Sequence, residues 1–314
     1  MKECDSHENC SASQDAPQLP TRLIDTGPEN SACCPTLINT SDSDDATRKG
    51  LRYACLSWCW GKVPPLVITK NQQHMPPFEG LPATFRDTLT VSRELQLRYI
   101  WIDALCIIQD DLEDWQKECA RMADIYRNGA VTIAARDSAD CTADMNIEIL
   151  EPNAWYMDPE TGCPLASRGW IFQERHLSQR ILYFGKYKLS WECATHERYE
   201  NISIPVTPQI RNKSKADFRH PKELEELHQH WLHIVTTFTE RARTRSMDRL
   251  PALSGIASEF QEKNGERYIA GLWRSHLLQG VLWLVYPSNR IPIEGEPYRA
   301  PTWSWASVDQ PINY

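Results

Sequence analysis

Between Arg98 and Ile108 the chain reads RYIWIDALCII, an almost unbroken apolar and β-prone run containing a single carboxylate. A run of this kind suits a strand buried on both faces, as in the middle of a parallel sheet, rather than a strand with one wet face. Its flanks agree. Leu51–Trp58 is a second short apolar run, closed by Trp60-Gly61 and the breaker pair Pro64-Pro65. Pro82 then opens a helix over 82–97 whose Thr84, Phe85, Thr88, Leu89, Val91 and Leu95 share one face. The acidic cluster Asp110, Asp111, Glu113 and Asp114 marks a second helix start. Trp115, Cys119, Met122, Ala123 and Tyr126 form that helix's apolar stripe, with Glu118 and Arg121 expected on its outer face. Asn128-Gly129 ends it, and Ala130–Ala135 reads as a third strand. Strand, helix, strand, helix, strand with short loops predicts an open, mostly parallel α/β sheet flanked by helices.

Residues 1–50 read differently. They carry nine acidic and four basic residues and little periodic apolar pattern apart from Leu37-Ile38, so they are expected to be a mostly flexible acidic leader with room for one early strand or turn, and order is expected to begin at about Leu51. The α/β core is expected over 51–195, with an irregular insertion at 137–167, a short helix at 168–179 and strands at 180–184 and 188–193. A loop follows at 201–221. Helices at 222–242, 249–262 and 274–286, with the aromatic run APTWSWASV (300–308), predict a mixed, largely helical lobe over 196–314 packed on the core.

Composition narrows function. In 314 residues there are 34 basic against 42 acidic side chains, a net charge of -8, which argues against binding nucleic acid by bulk electrostatics. No long apolar segment or export signal is visible, so a cytoplasmic (intracellular) protein without a membrane span is expected. The 11 cysteines include no CxxC pair, and several sit in apolar runs where a reduced thiol acts as a small hydrophobe. Cys193-x-x-His196, with His228, His230 and His233 further on, is the nearest approach to a metal spacing, but a zinc site needs about four convergent ligands and His228-x-His230 would point opposite ways on a helix, so no metal is expected. Phosphate-binding loops, dinucleotide fingerprints and nucleophile elbows are all missing.

Several longer segments are distinctive: YACLSWCWG (53–61), LPATFRDTL (81–89), RYIWIDALCIIQDDLEDW (98–115), MADIYRNGAVTIAA (122–135), SRGWIFQERHLSQRILYF (167–184) and LSWEC (189–193). Together, over about 53–193, they closely resemble the fungal heterokaryon-incompatibility (HET) domain. DRLPALSGIA (248–257), YIAGLW (268–273) and APTWSWAS (300–307) look like the region that follows it. One departure is CTADMNIEIL (141–150), where the family commonly has a Gly-Leu turn. The resemblance implies non-self recognition between fungal individuals, ending in growth arrest or cell death. It also implies a core like that of the Toll/interleukin-receptor (TIR) domain, some members of which cleave NAD. On that likeness Ser57-Trp58 ends the first strand, and Arg168, Trp170 and Glu174 open a helix with Glu174 as the catalytic carboxylate.

The chemistry of such a site can be stated from the residues. Breaking the nicotinamide–ribose bond passes through an oxocarbenium-like state that one carboxylate can stabilise. Ligands of open α/β sheets bind at the carboxyl ends of strands, which places Ser57, Trp58, Trp60 and Gly61 in a candidate nucleotide cleft with Glu174, and Arg168 and Trp170 are expected to contact the nucleotide there. Trp58 or Trp60 can stack on a base, and Gly61 can admit a phosphate. NAD is then a substrate, and no cofactor is expected. Asp103, a carboxylate in an apolar run, must meet an arginine, a backbone donor or a ligand, and a structural partner such as Arg86 or Arg98 is favoured over direct chemistry. Cys59 and Cys106 are weaker candidates as nucleophiles. The alternative is a non-catalytic module that signals by self-association and by recruiting an activating protein partner through exposed aromatic surface.

Overall fold

The computed structural model describes residues 1, 3–7, 10, 18–27, 34–42, 50–146, 163–200, 224–241, 246–285 and 298–314. The loop expected at 201–221 and positions 147–162 of the expected insertion lie outside the described residues. Packing divides the chain into two units, Met1–Ala166 with Leu177–Gln209, and Ser167–His176 with Ile210–Tyr314.

The first unit is built on an eight-stranded sheet: β1 (Arg22–Asp25), β2 (Thr36–Asn39), β3 (Tyr53–Ser57), β4 (Tyr99–Trp101), β5 (Val131–Ala135), β6 (Arg180–Phe184), β7 (Leu189–Cys193) and β8 (Glu197–Tyr199). The strand order is β2-β1-β4-β3-β5-β6-β7-β8. The central β4-β3-β5-β6 block is parallel, and antiparallel pairs extend it at both edges. Every residue of β3 and β5 is buried, as the continuous apolar runs require of strands covered on both faces. Cys55 lies opposite Trp101 and Ser57 opposite Ala134, so the carboxyl ends of β4, β3 and β5 open side by side. The open, mostly parallel α/β sheet read from the sequence is the fold of this unit.

Its helices are α1 (Ala83–Glu94), α2 (Asp103–Cys106) and α3 (Leu112–Asn128). The α1 helix buries Thr84, Phe85, Thr88, Leu89 and Ser92, a stripe at helical spacing. Asp111 caps α3 by accepting from the Glu113 and Asp114 amides at 3.1 and 3.4 Å, satisfying donors that a helix start leaves open.

Three expectations about the elements of this unit need correction. The run 98–108 is a strand only as far as Trp101; Asp103–Cys106 is a helical turn. Its apolar residues Ala104, Leu105 and Cys106 are fully buried, so the pattern reported burial correctly, but in a short run burial does not distinguish strand from helix. Order also begins before Leu51, because β1 and β2 belong to the central sheet. Arg22 ties β1 inward, pairing with Asp114 and donating to the Cys106 carbonyl at 2.8 Å. Glu118, assigned to the outer face of α3, is fully buried. The chain leading into β1 covers it: Thr21 bonds to Glu118 and accepts from Arg121 at 2.7 Å. A leader read as flexible thus removes from water a helix face read as exposed.

The second unit holds α4 (Gly169–Leu177) up to His176, then α5 (Leu224–Thr239), α6 (Pro251–Asn264), the hairpin β9 (Tyr268–Ile269) and β10 (Leu272–Trp273), α7 (Leu277–Gly280), and β11 (Leu284–Val285) paired with β12 (Ile312–Asn313). Its core is aromatic. The Trp231 ring lies 5.1 Å from Phe260 and 5.3 Å from Trp273, edge-on to both. Trp231 and Trp305 both donate to the Gly271 carbonyl at 3.0 Å. Gly271 has φ +96, and a Cβ there would lie 2.5 Å from the Trp305 indole nitrogen, so only glycine fits between those rings. The helix expected over 274–286 is confined to Leu277–Gly280, since Leu278, Leu282 and Leu284 face solvent instead of forming a buried stripe.

Candidate functional site

At the carboxyl end of β3 the chain passes from Ser57 through Trp58 and Trp60 to Gly61. Ser57 and Trp58 are buried, and Trp60 is half-buried. The two indoles stack at 5.6 Å, and Phe85 of α1 meets Trp58 edge-on at 5.0 Å. Both indole N–H groups point at one carboxylate. Trp58 donates to Asp103 Oδ1 and Trp60 to Asp103 Oδ2, each at 2.7 Å, and the Ala104 amide adds a third bond to Oδ1 at 2.8 Å.

The partner of Asp103 is therefore the tryptophan pair. Neither Arg86 nor Arg98 is among its hydrogen-bond partners in the described residues; Arg98 instead holds Asp25 of β1 by two bonds of 2.8 and 2.7 Å. Fixed neutral donors satisfy this half-buried carboxylate without a partner ion, which avoids that ion's desolvation cost. Oxygens turned onto three of the protein's own donors are poorly placed to take a proton from a reacting group.

Gly61 also has a definite neighbour. Its φ is +62, and a Cβ there would lie 2.5 Å from the Ala139 carbonyl oxygen and 2.5 Å from the Asp140 Cβ. The close approach expected for a phosphate is made by the chain's own loop after β5. That loop is fastened to α1, where Thr84 donates to the Ala143 carbonyl at 2.6 Å. Along the same edge Lys70 meets the acidic cluster before α3, its amide donating to Asp110 at 2.8 Å and its ammonium lying 3.2 Å from Asp111. Arg136 pairs with Asp137 at 2.8 Å. Burial pushes the Cys106 thiol up to about 12, which removes the thiolate that a nucleophile needs.

Arg168, Trp170 and Glu174 lie in the second unit. Trp170 donates to Asp248 at 2.9 Å, and the neighbouring Gln173 accepts the Gly255 amide at 2.8 Å. Glu174 is buried on the same helix. The structure thus gathers Ser57, Trp58, Trp60, Gly61 and Asp103 in the first unit, and Arg168, Trp170 and Glu174 on and just before α4 in the second.

One cluster was missed. Cys4, His7, Cys10 and Cys193 converge in the first unit, with their ligand atoms within 4.8 Å of one another. The signal was the spacing Cys4-x-x-His7-x-x-Cys10, which lies in the stretch read as leader and far in sequence from Cys193-x-x-His196.

Comparison with known families agrees with the sheet and its motifs. Residues 53–158, about a third of the chain, match the family model described as Heterokaryon incompatibility protein (HET). The match begins at β3 and runs through α1, β4, α2, α3 and β5, so it carries the Trp58–Trp60–Asp103 constellation. The resemblance read from the sequence holds over those residues, and it suggests a heterokaryon-incompatibility role. No curated protein and no solved structure matches the chain. No helix among the described residues is long and apolar enough to cross a membrane.

Proposed function

We propose that this chain acts in heterokaryon incompatibility between fungal individuals as a cytoplasmic signalling protein, arresting growth or killing the cell by assembling with protein partners. The observation that carries this reading is the run of exposed apolar side chains in the second unit. Leu278, Leu282 and Leu284 are 83%, 71% and 74% exposed, and Val285 and Trp303 are also exposed. Apolar side chains gathered at a surface favour protein contacts. The Asp103 clasp supports the same reading, because the strand-end carboxylate of the HET segment is spent on holding its own fold.

The competing reading is cleavage of NAD with Glu174 as the stabilising carboxylate, favoured by the burial of that side chain on α4. One experiment separates the two. The chain is expressed from an inducible promoter in a fungal host, growth is scored, and nicotinamide release is followed with the purified protein. Assembly predicts that Leu282→Asp with Leu284→Asp relieves growth arrest while Glu174→Gln leaves it intact. Nicotinamide release that disappears in Glu174→Gln, together with restored growth, would establish the enzymatic reading instead.

A further inference from the structure

We propose that Cys4, His7, Cys10 and Cys193 bind one zinc ion that fastens the start of the chain to the β7–β8 end of the sheet. This inference is independent of the signalling reading. It begins from a mismatch between composition and burial. Residues 2–10 read KECDSHENC, with no apolar side chain other than the cysteines, yet Cys4 and Cys10 are buried against Cys193 and Ala194. A polar segment with so little hydrophobic surface has a weak drive to give up its conformational freedom. Metal coordination supplies such a drive, because its binding free energy becomes folding free energy.

The distances from His7 match a tetrahedral set of three thiolates and one imidazole, whose four ligand atoms lie within 4.8 Å of one another. With zinc–sulfur bonds of about 2.3 Å and zinc–nitrogen bonds of about 2.0–2.1 Å, a tetrahedral site separates sulfur from nitrogen by roughly 3.6 Å. His7 Nδ1 lies 3.7 Å from Cys10 Sγ and 3.8 Å from Cys193 Sγ. Donors of this kind favour zinc over hard cations, which prefer oxygen.

The surroundings match what thiolates on a metal require. Arg180, itself buried, donates from Nε to Cys4 Sγ at 3.2 Å. The His196 amide donates to Cys193 Sγ at 3.2 Å, and the Thr195 hydroxyl lies 3.6 Å from Cys10 Sγ. Each sulfur therefore has a donor of its own, the outer shell that orients and tunes ligands. Three thiolates and one Zn²⁺ sum to one negative charge, and the Arg180 guanidinium, which it shares with Asp5, lies against it. Arg180 also holds the backbone of the ligand segment, donating to the Cys10 carbonyl at 3.1 Å and to Asp5 at 2.8 Å. Coordination by three thiols releases three protons to solvent and involves no oxidation.

The full chain, purified under reducing conditions and saturated with zinc, should hold one zinc per chain after desalting, measured by elemental analysis. Replacement by cobalt(II) should give thiolate-to-metal charge-transfer bands and the visible bands of a tetrahedral site. Cys193→Ser should lower zinc affinity at least tenfold. His7→Cys should retain cobalt with stronger charge transfer, and this variant decides the matter if Cys193→Ser fails to fold. Less than stoichiometric zinc in the reduced chain, a cobalt form without thiolate bands, or unchanged affinity in Cys193→Ser would overturn the proposal. So would peptide mapping that finds two of the three cysteines joined as a disulfide in the native protein.

Discussion

Trp60 donates its indole N–H to Asp103 across 2.7 Å, linking positions forty-three residues apart and joining the exit of β3 to the start of α2. Trp58, stacked on it, donates to the other oxygen of the same carboxylate. Asp103→Ala leaves both indoles and the Ala104 amide without their acceptor, and an unsatisfied buried donor costs about 1–3 kcal/mol. Asp103→Ala should lower stability by about 3 kcal/mol, and Asp103→Asn, which keeps one acceptor oxygen, by about half as much. Denaturant unfolding followed by tryptophan fluorescence measures both. An alanine variant as stable as the parent would show that the clasp contributes nothing.

Gly61 and Gly265 offer a matched pair. Both hold φ near +60, but a Cβ at Gly61 strikes Ala139 and Asp140, whereas nothing lies within 4 Å of one at Gly265. Gly265→Ala should cost about 1 kcal/mol, the ordinary left-handed penalty. Gly61→Ala should cost roughly 2 kcal/mol more, from forcing the 139–140 backbone aside. Equal losses in calorimetric unfolding would mean that the loop after β5 yields freely.

Glu118 depends on the segment before β1. Arg121 lies 3.6 Å from its carboxylate and donates to Thr21, which bonds the same group. Arg121→Ala leaves a fully buried carboxylate short of a cation and should destabilise by about 3 kcal/mol. Adding Glu118→Gln should recover most of that loss, since the charge no longer needs compensation. If the double variant is as weak as the single one, charge burial is not the cause.

His228 makes the second unit sensitive to acid. Burial, then the charge of the neighbouring His276, lowers its pKa from 6.5 to about 4, while Glu225 and Glu266 act in the opposite direction. The His276 ring stacks on it at 4.0 Å. Between pH 6.5 and 4 the unfolded imidazole takes up a proton that the folded one refuses, so the unfolded state binds more protons and stability falls with pH. The effect should be nil above about 6.5 and complete below about 4. Thermal unfolding from about pH 7.5 to about pH 4 should show a steeper fall for the parent than for His228→Gln. Parallel curves would place the acid sensitivity elsewhere.

The periodic part of this protein was legible without coordinates. Continuous apolar runs at β3 and β5 and a helical stripe on α1 are local patterns, and local pattern reports burial and period directly. From these followed the parallel order of the sheet's centre and the neighbouring strand ends. The distinctive segments around Trp58, Asp103 and Tyr126 were enough to indicate the HET domain. What tertiary structure decided was pairing. That Asp103 would take two indoles rather than Arg86 or Arg98 depends on which strand ends lie side by side, and several donors were equally plausible in sequence. Glu118 was misplaced because the chain that covers it leads into a strand of only four residues in a polar stretch, too short to show a period. The Cys4, His7, Cys10 and Cys193 cluster was invisible for a related reason: three ligands are local, but the fourth arrives only when β7 pairs with β6 in the sheet. Side-chain chemistry is written residue by residue, whereas convergence of distant residues is a property of the fold, set by the burial of the whole chain.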